Sequence, residues 1–139
     1  MEHGELIARL EAASEGSHEL NRALGLAIGE LHLDAKGDLY RIDRDDGSHS
    51  YGGNGDETII TPRWTTSLDA IVALIERKLP SADYDIHHRR APYKPTVHWY
   101  DEKGEAWRVS DAQTKPLAAC IALLQALRTQ DQGDQTNGS

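Results

Sequence analysis

Apolar residues recur at helical spacing at both ends of the chain and in its middle. Across residues 5–13, Leu6, Ile7 and Leu10 line one stripe, and Glu15-Gly16 interrupts the pattern. Ser17 then offers an N-cap, Glu19 places an anion in the first turn, and Leu20, Ala23, Leu24, Ala27 and Ile28 face inward as far as Gly29. So short a link between two helices predicts an αα-hairpin. In the middle, Thr58-Ile59-Ile60-Thr61 reads as a β-branched strand that Pro62 ends. Thr66 with Asp69 makes a capping box for a helix whose Leu68, Ile71, Val72, Ile75 and Leu79 share one face. A last helix begins near Thr114, tolerates Pro116 in its first turn, and carries an inner stripe of Leu117, Cys120, Ile121, Leu124 and Leu127 up to Arg128. Residues 129–139 are polar and read as a disordered tail.

Between these helices the period drops to two. Tyr84–Arg90, Thr96–Tyr100 and Glu105–Val109 read as strands, the last two joined by a hairpin at Asp101-Glu102-Lys103-Gly104. Val97 shares a face with Trp99, and Trp107 with Val109. Asp38–Asp43 alternates loosely, as an edge strand does. Residues 45–57 are rich in Gly and acid and read as a mobile loop; their Gly52-Gly53-Asn54-Gly55 lacks the Lys-Ser/Thr ending of a phosphate loop. The order α-α-(β)-β-α-β-β-β-α predicts a single α+β domain over residues 1–128. Its small, mostly antiparallel sheet would have helices packed on it as an α/β/α sandwich.

Composition narrows the function classes. The chain has 139 residues and no Phe, so Leu, Ile, Val and Ala with the Trp and Tyr rings must fill the core. A formal charge of −8 argues against a general nucleic-acid binder and fits a protein that presents acid to a basic partner. The single cysteine, Cys120, allows no internal disulfide, and its place on an apolar stripe reads as packing rather than as a nucleophile. The acidic start lacks the basic and apolar regions of a signal peptide, and no apolar run reaches the roughly 18 residues of a membrane span, so a cytoplasmic protein is expected.

Three clusters carry candidate chemistry. Arg63, Trp64, Arg89, Arg90, Lys94, Trp99 and Arg108 combine guanidinium forks with aromatic faces, the groups that hold a nucleotide by phosphate contacts and base stacking. Asp45, Asp46, Asp56 and Glu57 offer an acidic surface to a basic protein partner. His87, His88 and His98 are the alternative, a zinc site on neighbouring strands, although no spacing of a metal-binding motif accompanies them. Otherwise no metal or cofactor is implied.

Residues 4–14 with Gly16-Ser17-His18-Glu19-Leu20, the segment Thr65-Thr66-Ser67-Leu68-Asp69-Ala70 and the terminal Pro116–Leu124 resemble, in this order, the phage ABA-sandwich domain family. The resemblance spans about residues 4–128. It implies a small α/β/α domain encoded by a phage or prophage, with no agreed activity and no catalytic residues to carry over. Where that family tends to read Pro-Pro-x-Tyr-Thr before its central helix, this chain has Thr61-Pro62-Arg63-Trp64-Thr65. The expected function is therefore that of a non-enzymatic accessory protein in the bacterial host, acting by binding in counter-defence. It would either block a host protein or sequester a nucleotide signal. A metal-dependent hydrolase and a homo-oligomeric assembly adaptor are the alternatives.

Overall fold

The last helix decides how the rest of the chain is arranged. From Leu117 to Ala126 every side chain except Gln125 is buried, so this segment has no polar face to turn to water. The computed structural model describes residues 2–52, 55–87, 94–100 and 106–137. It contains helices α1 (His3–Ala12), α2 (His18–Ile28), α3 (Leu68–Lys78) and α4 (Lys115–Asn137). Its strands are β1 (His32–Leu33), β2 (Leu39–Ile42), β3 (His49–Tyr51), β4 (Asp83–His87), β5 (Thr96–Tyr100) and β6 (Ala106–Val109). α4 packs against α1, α3 and the β4–β6 strands, so the expected inner stripe is in fact a helix covered on all sides. Its backbone remains helical to Asn137, well into the stretch expected to be a tail.

The α+β class and the antiparallel pairing follow the sequence pattern, but the strands divide into two sheets, β1-β2-β3 and β4-β5-β6. In the second sheet Tyr84 opposes Trp99, Ile86 opposes Val97, and Val97 opposes Val109, which puts all of them on the face that meets α4. The other face carries Asp85, His87, His98, Tyr100 and Arg108. The first sheet is an outrigger: of its strand residues only Leu39 is buried. The stretch expected as a loop contributes β3 to it, and the weakly alternating Leu39–Ile42 is its central strand rather than an edge.

Local polar bonds explain the other departures. Thr58–Thr61 is not a strand; Glu57–Ile59 forms a 3-10 turn. The Asp56 carboxylate accepts from the Thr58 amide and hydroxyl, and the Thr61 hydroxyl donates back to the Glu57 carbonyl at 2.7 Å, so these bonds replace a ladder that has no neighbouring strand. The α3 cap is Ser67, whose hydroxyl accepts from Ala70 N–H, and not Thr66. Thr65 goes inward instead. Its amide and hydroxyl both donate to the Asn21 side-chain oxygen at 2.8 and 2.6 Å, and its hydroxyl accepts from Ser17 N–H at 3.0 Å. This buried knot ties the start of α2 to the chain entering α3. A methyl group on Gly16 would fall on the Thr65 carbonyl, so glycine is required there by close approach.

Because Leu124 is wholly buried in α4, Leu124→Ala is expected to cost about 3 kcal/mol. The same truncation at the half-exposed Leu33 should stay within about 0.5 kcal/mol. Urea unfolding of the two variants measures the difference.

Candidate binding surfaces

The outward face of the first sheet is made of rings. β1 and β3 both pair antiparallel with β2, with His32 opposite Tyr40, Tyr40 opposite Tyr51, and Ile42 opposite His49. Opposed residues share a face, so His32, Tyr40, Ile42, His49 and Tyr51 stand together on the side away from Leu39. Tyr40 is central: its ring stacks on His49 at 4.4 Å and 20°, and lies 5.3 Å from His32 and 5.6 Å from Tyr51. The outer members stay open, with Tyr51 47% and Ile42 40% exposed.

Two acidic turns close the ends of this stripe. Between β1 and β2 the Asp34 carboxylate accepts from the amides of Lys36 and Asp38 at 2.9 and 2.8 Å. Between β2 and β3 the Asp43 carboxylate accepts from Asp45 and Asp46 N–H, and the Asp46 carboxylate accepts from Ser48 N–H. Gly37 (φ 86°) and Gly47 (φ 73°) supply the left-handed residue each turn needs. The Asp38 amide holds the Asp34 carboxyl below the ordinary aspartate range, and the Ser48 hydroxyl and amide do the same for Asp46. Tyr51 is pushed up, by partial desolvation first and then by the nearby Asp34 carboxylate. The backbone of residues 43–48, expected as part of a mobile loop, is thus pinned by the Asp43 and Asp46 carboxylates.

The other acidic candidates serve the fold. Asp56 caps the 3-10 turn, and Glu57 pairs with Arg22 at 2.9 Å and with His18 at 3.6 Å. A third carboxylate, which the sequence did not single out, ties the outrigger down. Glu30, with a side chain 8% exposed, meets Arg77, Lys78 at 3.0 Å and Arg44 at 3.4 Å. Burial alone would raise its carboxyl, but hydrogen bonds from Arg77 and Lys78, with their charges, outweigh that and lower it.

The nucleotide cluster does not assemble among the described residues. Trp64 and Trp99 are only 3% and 5% exposed, inside the core, so neither offers a free stacking face. Arg108 lies on the opposite face of the sheet from Trp99, because it opposes His98. Lys94 donates to the Asp111 carbonyl at 3.3 Å, Arg63 is exposed before α3, and Arg89 and Arg90 lie outside the described residues. On that same outer face the rings of His87 and His98 stack at 5.3 Å, with Asp85 3.5 Å from His87. His88 lies outside the described residues. Among those described, no three His, Cys, Asp or Glu side chains converge as a metal site. An open cleft of about 600 Å³ between α1 and α2 is lined by Arg9, Glu19, Arg22, Ala23, Leu26 and Ala27. Cys120 is buried, its thiol contacts the Trp64 carbonyl at 3.5 Å, and burial pushes its pKa far up, so it is not a thiolate nucleophile.

No family model, curated protein or solved structure matches this chain. No helix of the described residues is long and apolar enough to cross a membrane.

The Glu30 cluster has a pH signature. A carboxyl lowered on folding adds stability above the ordinary glutamate range, and that stability is lost as pH falls through the folded value. Glu30→Gln is expected to cost about 2 kcal/mol at neutral pH. That gap should shrink on acidification toward about pH 3, as read from urea midpoints across the range.

Proposed function

We propose that this protein acts by binding rather than by catalysis, and that it presents the acidic turns of its first sheet to a basic partner surface. The observation that carries this reading is the order imposed on those turns. Asp34, Asp38, Asp45 and Asp46 sit in two hairpins whose backbones are pinned by the Asp34, Asp43 and Asp46 carboxylates, so the backbone that carries the charge is held in place before a partner arrives. Preorganised charge loses little freedom on docking, and acid on a chain of formal charge −8 steers basic surfaces toward it.

The buried thiol is consistent with a binding role. Of the two binding modes, blocking a basic protein is favoured over sequestering a nucleotide, because Trp64 and Trp99 are packed into the core. The resemblance to the phage family supplies the setting: an accessory protein of a phage or prophage that blocks a protein of the bacterial host.

The test uses immobilised polylysine as the basic probe and two variants of equal charge change. Asp45→Lys with Asp46→Asn keeps an acceptor for Ser48 N–H and should weaken retention about fivefold. Glu11→Lys with Glu15→Gln, in and just after α1, should change it less than about twofold. An equal loss in both would mean that only net charge acts, and would remove the assignment to the first sheet.

A further inference from the structure

The ring face between the acidic turns needs its own explanation. Cross-strand aromatic pairs stabilise a small sheet, and the stacking of Tyr40 with His49 does that here. Such stabilisation does not require the stack to end in open rings beside carboxylates. At one end of β3 the exposed His49 ring adjoins the Asp43–Ser48 turn. Two residues on, Tyr51 is 47% exposed, and the Asp34 carboxylate lies near enough to help push its hydroxyl pKa up. One end therefore sets an open aromatic ring near a carboxylate, and at the other an open ring directly follows an acidic turn.

Resting on the binding role proposed above, we infer that this face is the docking surface for an extended, arginine-bearing segment of the partner protein, with two guanidinium groups spaced one residue apart. A guanidinium is planar and delocalised, so it adds to an aromatic stack as another layer while its edge donates to a carboxylate. His49 and Tyr51 lie on the same face of one strand, about 7 Å apart along it. Arginines at positions i and i+2 of an extended partner strand repeat that spacing on one face. β3 is also an edge strand of its sheet, so such a segment can run alongside it.

Charge selects this occupant over others. Polyphosphate ligands would meet Asp34, Asp38, Asp45 and Asp46 at the two ends of the stripe. A second copy packed face to face would set acidic turns against acidic turns. The cations of this segment do not cancel the field: Arg41 belongs to the opposite face of the sheet and Arg44 turns back to Glu30. Lys36, in the first turn beside Asp34, is the remaining Lys or Arg of residues 32–51.

The experiment is a titration of the full chain, followed by NMR of the Tyr and His ring protons. The probe is an end-capped octapeptide, neutral except for two arginines separated by one residue. Controls are the same peptide with citrulline at both sites and with the two arginines adjacent. The expected result is selective shifts of the His49 and Tyr51 ring signals, and an affinity for the spaced peptide at least threefold above the adjacent one. Affinity should be lost on citrulline substitution and should fall about tenfold in the double variant His49→Ala, Tyr51→Ala. Tyr51→Phe, which keeps the ring, should bind within about twofold of the parent chain. Tyr40 is left intact in every variant, and retained nuclear Overhauser contacts between the backbone protons of β2 and β3 certify the sheet. Equal affinity of the ring-deleted variant and the parent, or equal binding of the citrulline peptide, overturns the inference. If the Asp45→Lys, Asp46→Asn variant still weakens polylysine retention in that case, the acidic binding role stands without the ring face. If both the rings and the acids can be changed without effect, the two fall together.

Discussion

A helical segment with no polar side has to be enclosed, and that requirement organises this molecule. Leu117, Ala118, Ala119, Cys120, Ile121, Ala122, Leu123 and Leu124 are all buried in succession, so α4 must be surrounded by other elements. α1 and α3 cover it on two sides and the inner face of β4–β6 on another. Each covering element is amphipathic and spends its apolar side on α4. The outer face of the β4–β6 sheet is left to charged and polar residues, and the first sheet reaches the core only through Leu39.

The outrigger is therefore held by polar contacts more than by apolar burial. Leu39 and Leu31 reach the core, while Glu30 gathers Arg44, Arg77 and Lys78 where α2 ends, α3 ends and the first sheet begins. The Thr65–Asn21 knot does the equivalent at the opposite end of α2. A buried hydrogen bond or ion pair stabilises modestly when made but is costly to leave half-made, so the two clusters fix α2 at both ends. A three-stranded sheet with so little buried area is marginal by itself. Ring stacking and carboxylate-pinned turns give it enough order to present a defined surface.

That arrangement separates stability from recognition. The core residues are committed to α4, and the candidate binding groups stand on a part of the chain whose side chains the core does not need. Rings such as Tyr51 and carboxylates such as Asp45 can therefore change without unpacking the domain.

Local rules read directly from the sequence account for much of the fold. The N-cap at Ser17, the proline in the first turn of α4, the β5–β6 pairing and the shared face of Val97 and Trp99 all depend on near neighbours or on strict periods of 2 and 3.6. The sequence grouped Arg108 with Trp99 in the nucleotide cluster; the register that sets Arg108 opposite His98, and so on the other face from Trp99, is fixed only by the pairing of β5 with β6. The sequence misled where a β-branched run, Thr58–Thr61, found side-chain acceptors close by and no strand to pair with. Tertiary structure alone decided three things: that α4 is buried on every side from Leu117 to Leu124, that Thr65 rather than Thr66 turns inward to Asn21, and that residues 49–51 join Leu39–Ile42 in a separate sheet. The ring face depends on the last of these. His32, Tyr40, His49 and Tyr51 are scattered along the chain and show no shared period; they become one surface only through the register of two hairpins, which is set by turns and pairing between strands rather than by any residue's own preference.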